Sequence, residues 1–512
     1  MAALAALLPI LVILVLMIGL RWSAAAAGTV GLALAVAYAV FGYGTATHAV
    51  PGPAGAAGGA LAEAAFVAAT ILWIVFPALC IYELQLGSGA FEVLKRALGR
   101  LSSDRRIAAL LVAWFFGLFM EGAAGFGTPV ALAAPILVGL GFSPVRAVTL
   151  VLIGHAAGVS FGAVGTPVLP QVAVTGLSGQ DIAAATGLLH GVLGAILLAF
   201  VVRLAAPASG AAAGAAGRGG AGRGGAGWGW AGLAAACFLL PFLALSLFVG
   251  PELPTLGGAL VGGALFVAAL RLAGRRAGPA EGRWEGAALL RASMPYAVLL
   301  ALVLATRLVG PLREALLGLD WRWSLHGAFG GSVAPFYHPG TMLMLGFLLG
   351  GLAQGRRPGE LGRAAALGAR RLPLVAAALV AMLALSRIMV HAGMIAALAE
   401  TAAGTLGPAW PLLAPAVGIL GTFVTGSATA SNILLTDFQQ ATAAALGLPV
   451  LHLVAAQGFG AAVGNIVCPH NVIAGGATVG LGGREGEVLR RTAPACAAYG
   501  AAGGILVFLL AL

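Results

Sequence analysis

One carboxylate, Glu121, ends the apolar run Trp114-Phe-Phe-Gly-Leu-Phe-Met120 and is followed at once by Gly122-Ala-Ala-Gly-Phe-Gly-Thr-Pro129. Burial disfavours the charged form of a carboxyl, so Glu121 is suited to taking up and returning a proton near neutral pH. The bland alternative is an ionised group that caps backbone amides or pairs with an arginine. Gly122, Gly125 and Gly127 loosen the backbone beside it, Thr128 adds a hydroxyl, and Pro129 suits the first turn of a new helical piece. Unwound backbone at membrane depth is tolerated only where protein or a water-filled pocket covers it, so a buried charge next to a breakable chain points to a site.

A second cluster, Thr425-Gly-Ser-Ala-Thr-Ala-Ser-Asn432, concentrates hydroxyls and an amide in apolar surroundings. Thr425, Ser427, Thr429 and Asn432, with the exposed amides of a half-helix start, suit a small carboxylate. Hydroxyls also bond back to their own helix or pack between helices. His155 can relay a proton, bond a substrate or simply pack; Gln457, Asn465 and His470 have the same choice. Arg387 and His391 are four residues apart and share a helix face. The planar fork of Arg387 matches a carboxylate, whether a substrate's or that of Glu121 or Asp437. Arg307 lies nearer a helix end, where snorkelling is expected.

The elements that must position these groups are apolar helices. The chain has 512 residues, 61% of them hydrophobic and 8% charged, with a mean hydropathy of +1.03. A soluble domain carries about a quarter charged residues, so this composition excludes one. Runs long enough to span, about 17–25 residues each, recur along the chain. They predict an all-α polytopic membrane protein of about twelve transmembrane helices plus re-entrant or broken pieces at 107–140 and 425–446 and a short run at 469–482. The net charge of +11 does not indicate nucleic acid, because the arginines sit in short loops between apolar runs. Arg21 and the segments 95–106, 203–223, 271–291, 356–371 and 484–491 are accordingly expected in the cytoplasm. Cys80, Cys237, Cys468 and Cys496 are scattered and read as small buried hydrophobes; no metal site and no cofactor are expected.

Aligning Phe116–Ala124 with Leu420–Ala428 matches Gly, Phe, Gly and Ala at the same offsets. Each stretch leads to a Leu-Gly turn (Leu140-Gly141, Leu446-Gly447) and then to a Gly-rich segment ending in Thr166-Pro167 or Cys468-Pro469. Counting spans between basic loops orients the two copies oppositely. Two inverted repeats with interrupted helices are a transporter architecture. The expected division is an N-terminal half 1–205, a Gly/Arg-rich linker 206–228 and a C-terminal half 229–512.

With these residues in view, the chain resembles the L-lactate permease family. The resemblance is carried by Glu121–Pro129 with Leu137–Phe142, by Phe161-Gly-Ala-Val-Gly-Thr-Pro167, Gly250-Pro-Glu-Leu-Pro254 and Thr425–Asn432, and by Gly480-Leu-Gly-Gly-Arg-Glu-Gly486. It implies a proton symporter for L-lactate or a related 2-hydroxy monocarboxylate in a bacterial inner membrane. The chain departs from the family where His155 replaces an asparagine and where Asn465, Cys468 and His470 replace a lysine, a serine and a glutamine. The cation of that motif is missing, and Arg387 is a candidate to restore it. The expected substrate-binding set is Gly122, Gly125, Gly127, Thr128, His155, Arg387, His391, Thr425, Ser427, Thr429, Asn432, Gln457 and Asn465, with Glu121, His155 or His391 carrying the proton. Expected partners are a small organic anion, a proton, the lipid bilayer and, as a candidate, a second copy of the chain. A sodium-coupled carrier and an intramembrane enzyme are the rivals; no paired-carboxylate metal motif or nucleophile elbow supports the enzyme.

Overall fold

The computed structural model describes residues 2–20, 22–43, 52–93, 104–125, 127–206, 223–273, 286–326 and 329–511. Arg21, residues 94–103 with Lys95, Arg96 and Arg100, most of the expected linker (207–222) and much of the 271–291 loop lie outside them. Nearly everything described is helix. Among the described residues eight helices are long and apolar enough to cross a membrane, or eleven if each of three bent pairs counts as one span. That is below the twelve or so expected, because runs expected as spans at 26–44 and 340–353 form apolar helices shorter than 18 residues, Ala25–Phe41 and Pro339–Ala353. Arg223–Phe248 begins within the expected linker. The stretch 358–371, expected as loop, is the opening of the 34-residue helix Pro358–His391, which starts with Pro at N1 and a Glu360 side chain accepting from the Arg357 amide.

One departure is β structure. Trp321–Leu325 pairs antiparallel with Phe329–Val333, in the register Trp321 with Val333 and Leu325 with Phe329. The hairpin docks on the helix Gly52–Gly87. Phe329 lies where a Cβ on Gly59 would sit, and Phe66 lies where one on Gly331 would. Trp321, Trp323, Phe329 and Val333 suit a strand, but the run is short and carries Gly330-Gly331, so it does not stand out among apolar helices.

The two halves share a pattern of breaks. In the first, Arg105–Ala123 (wide-wound over Leu110–Phe116) stops at Ala124–Gly127; Thr128–Gly139 follows, then Pro144–Gly154, a tight 3-10 stretch Ala156–Phe161, and Val168–Thr175. In the second, Trp410–Thr425 stops at Gly426-Ser427; Ala428–Leu446 follows, then Val450–Gly464, a 3-10 turn Asn465–Val467, and Pro469–Thr478. Gly125, Gly127 and Gly426 all have positive φ (58°, 80° and 78°), which lets the chain leave one helix and start another within two to four residues. The run 147–169, expected as one span, bends by 47° near His155, and Ala163 and Val164 are held left-handed beyond the bend. That conformation is strained for a β-branched valine.

The pieces after the breaks pack reciprocally. Thr128–Gly139, which follows the first half's first break, packs on Pro469–Thr478, which follows the second half's second break. Ala428–Leu446 packs on Val168–Thr175, the converse pair. Breaks of opposite halves therefore meet, and the groups flanking them are placed together.

A candidate anion and proton site at the helix breaks

Glu121 sits in the last turn of Gly117–Ala123 and is 4% exposed. Its Oε1 lies beside Gly162, where an added Cβ would come within 2.1 Å of it. The glycine lets the 162–167 kink come against the carboxylate, which would have to shift to admit a methyl there. Gly122 has the same role on the other side, because a Cβ there would meet the Leu256 amide nitrogen at 2.5 Å. The Glu121 carboxylate faces His155, with Oε2 3.8 Å from Nε2.

The His155 tautomer follows from its other contact. Nδ1 is 2.5 Å from the Val151 carbonyl, which can only accept, so Nδ1 carries the hydrogen and Nε2 presents a lone pair to Glu121 unless the ring is charged. The Asn465 side chain hydrogen-bonds the same ring, and Asn471 Nδ2 donates to Asn465 Oδ1 at 2.8 Å. Asn471 Oδ1 lies against Gly127, 3.2 Å from where its Cβ would be. A polar chain thus runs from Glu121 through His155, across to Asn465 and Asn471, and back to the first break at Gly127.

Beside this chain is a cavity of about 1180 Å³. Its polar wall comes from the breaks: Ala124, Thr128, Thr166, Thr425, Gly426, Ser427, Thr429, His470 and Asn471. Its apolar wall comes from Gly52–Gly87 and Pro358–His391, through Ile71, Val75, Leu79, Val375, Leu379 and Met382. Three helices begin on the polar wall, at Thr128, Ala428 and Pro469. Ser427 caps the second: its Oγ accepts from the Ala430 amide at 3.4 Å. The first intrahelical bond there is Ser431 N–H to the Ser427 carbonyl, so the Ala428 and Thr429 amides precede the ladder. Helix starts of this kind carry partial positive charge and unpaired N–H groups.

A sequence model of the L-lactate permease family matches residues 2–329 and 329–512, the whole chain but its first residue. The chain belongs to that family. It is 32% identical over 378 residues to the L-lactate permease of Streptococcus iniae, covering 72% of this chain and 77% of that one. It is 26% identical to the L-lactate permease of Bacillus subtilis over 96% of this chain and 92% of that one. It is 28% identical to the glycolate permease GlcA of Escherichia coli over 100% and 96%. With its apolar helices, the chain is a multi-pass bacterial membrane protein, and the permease names point to a transporter rather than an enzyme.

The permease's remaining sequence candidates fall into three places. Thr128, Thr425, Ser427 and Thr429 line the cavity. Asn432 and Gln457 lie behind it as a clamp: Asn432 Nδ2 donates to the Pro167 carbonyl at 2.8 Å, and Gln457 Nε2 donates to Ser431 Oγ at 3.1 Å. Arg387 and His391 stand outside the lining. Arg387 pairs with Asp437 at 2.5 Å, and Ser386 donates to the same carboxylate oxygen at 2.7 Å. His391 Nε2 is 3.2 Å from Glu63 Oε2, while Glu63 Oε1 accepts from the Gly330 amide of the hairpin. Arg307 does not snorkel. It is buried, 2.6 Å from Glu252 and stacked over Tyr337 at 3.5 Å. Asn471, Thr166 and Gly162 escaped the sequence reading. Asn471 left a faint signal, an amide two residues after the proline that starts a helix.

Proposed function

We propose that this permease carries L-lactate or a related 2-hydroxy monocarboxylate together with one proton. The carboxylate sits where the helices starting at Thr128, Ala428 and Pro469 converge on the cavity. Backbone amides and the hydroxyls of Thr128, Ser427 and Thr429 hold it, and the 2-hydroxyl has Asn471 and His470 as partners. Arg387, neutralised by Asp437, acts on the anion at most through the orientation of Ala428–Leu446.

The observation that carries the proton assignment is the Glu121–His155 contact. An ionised Glu121 facing the bare Nε2 lone pair of His155 would set two acceptors against each other. One proton removes the conflict, whether on the carboxyl or on Nε2, and a second would leave an uncompensated buried charge. The pair is therefore a one-proton site. A monocarboxylate crossing with one proton moves no net charge, which avoids about 2.3 kcal/mol per 100 mV of opposing potential. Anion and proton sites are joined through Asn465 and Asn471, so occupation of one is felt at the other.

The test is uptake of radiolabelled L-lactate and glycolate into proteoliposomes, driven by an imposed pH gradient in sodium-free buffer. Accumulation is expected without sodium and inhibition by unlabelled 2-hydroxy acids. Uptake that requires sodium and ignores the pH gradient would replace this reading with a sodium-coupled carrier.

A further inference from the structure

The cavity has an end that the transport reading leaves unexplained. Among the described lining residues, Arg371 is the one arginine or lysine and Glu485 the one carboxylate. The Arg371 side chain is about half exposed (51%), so it stands at the mouth, whereas Glu83 beside it is 6% exposed. Trp22, Ser23, Gly483 and Glu485 line the same cavity. These residues adjoin Arg21, the 356–371 segment and Arg484, which the positive-inside rule assigns to one face of the membrane, the cytoplasmic one. The cavity in this structure thus opens on that face. An anion leaving the helix starts must pass the apolar wall of Val75, Leu79, Val375 and Leu379, where nothing offsets the loss of its hydration.

Arg371 can offset it. Its Nη2 lies 2.6 Å from Glu83 Oε1, yet that oxygen receives no hydrogen bond of proper angle. The contact is a charge pair, and among the described residues the guanidinium's other donors have no hydrogen-bond acceptor. Tyr82, also on the lining, has its ring 5.4 Å from the Arg371 Cζ and steadies the group. The dependence is one-sided, since buried Glu83 needs the cation, whereas half-exposed Arg371 is solvated without Glu83.

We propose that Arg371 is a substrate-binding residue at the cytoplasmic mouth. It takes the carboxylate of the departing monocarboxylate on its free donors while Glu83 holds Nη2 and tempers its charge. Arg371 gives the anion a way station, and Glu83 keeps that station from becoming a trap. This rests on the transport reading above, and the experiment separates the two.

Right-side-out and inside-out proteoliposomes are loaded for L-lactate counterflow, which needs no proton gradient. Wild-type counterflow tests the transport reading; its absence overturns that reading and this proposal with it. Where wild type exchanges lactate, Glu83→Gln is expected to lower the cytoplasmic-side KM and slow turnover. Replacing both charges, Arg371→Gln with Glu83→Gln, is expected to raise that KM about tenfold, the loss of one charge-assisted contact, with the opposite-side KM unchanged. Arg371→Lys should restore most of it. The double variant leaves no buried unpaired charge, so it is expected to fold, which detergent gel filtration checks. An unchanged cytoplasmic KM in a folded double variant, or an equal rise on both sides, would overturn the role.

Discussion

Substituting Glu121 by Gln tests the one-proton pair most directly. Gln is isosteric, so the 4% exposed position keeps its packing against Gly162, and its amide can still donate toward His155 Nε2 across the 3.8 Å gap. What it loses is the exchangeable proton. In E121Q a proton on His155 would have no counter-ion within the pair, and His155 is 1% exposed, so the ring stays neutral. The magnitude follows from the stoichiometry. One proton per anion makes each unit of imposed pH difference worth about 1.36 kcal/mol, or roughly tenfold accumulation. Wild-type protein should therefore concentrate lactate about tenfold per pH unit with the membrane potential clamped at zero, whereas E121Q should only equilibrate it. Counterflow at equal pH should survive in E121Q, because the helix starts proposed to hold the carboxylate are untouched. The assay is radiolabelled uptake in proteoliposomes with valinomycin and potassium on both sides. Pumping by E121Q at the wild-type level would refute the proton assignment. Loss of counterflow as well would refute it differently, by making Glu121 part of the anion site.

Gly162→Ala places a methyl 2.1 Å from Glu121 Oε1, so the carboxylate must shift; gradient-driven accumulation is expected to fall at least as far as counterflow, read in the same vesicles. Arg387→Ala leaves Asp437, 8% exposed, without its cation and with only the Ser386 hydroxyl donating to it. The expected cost is about 3–5 kcal/mol, seen as a lower melting temperature in detergent, and Asp437→Leu on the same background should recover most of it. Tyr499 donates to His190 Nδ1 at 2.7 Å, because His190 Nε2 must donate to Ser160 Oγ, whose own hydrogen goes to the Gly458 carbonyl. Tyr499→Phe is therefore expected to destabilise by about 1–3 kcal/mol with KM unchanged, since this chain packs the 3-10 stretch and does not line the cavity.

The first break of each half was legible in the sequence because it rests on local chemistry: glycines that take positive φ, followed by a residue that starts a helix. Gly125, Gly127 and Gly426 announce their turns from composition alone. The breaks in mid-span were harder. The 47° bend at His155 lies in a run whose hydropathy is continuous, and Ala163 and Val164 have no intrinsic liking for the left-handed region. They are held there by tertiary packing of Gly162 on Glu121 and of Gly165 on Pro251, which no local pattern can report. The same limit applies to the charges. The sequence names Asp437 as one carboxylate open to Arg387 but cannot choose it over a substrate, and it cannot show that Glu63, 328 residues away, reaches His391. It passed over Arg371 because an arginine in a basic segment reads as topology.

Reciprocal packing explains why the two sets of helix breaks share one cavity. A helix start buried against apolar neighbours leaves unpaired N–H groups, and one such start would be a liability at membrane depth. Here the start at Thr128 lies against Pro469–Thr478, and Pro167, just before the start of Val168–Thr175, gives its carbonyl to Asn432 of Ala428–Leu446. Each half thus covers the other's exposed backbone, and the donors left over face the shared cavity. Neither half buries its own breaks, so loosening the cross-half contacts exposes both at once. The Asn432–Pro167 bond joins the halves without lining the cavity. Asn432→Leu, close in volume but unable to donate, is therefore expected to lower turnover more than affinity. A rise in KM at unchanged turnover in lactate counterflow would instead put Asn432 on the substrate.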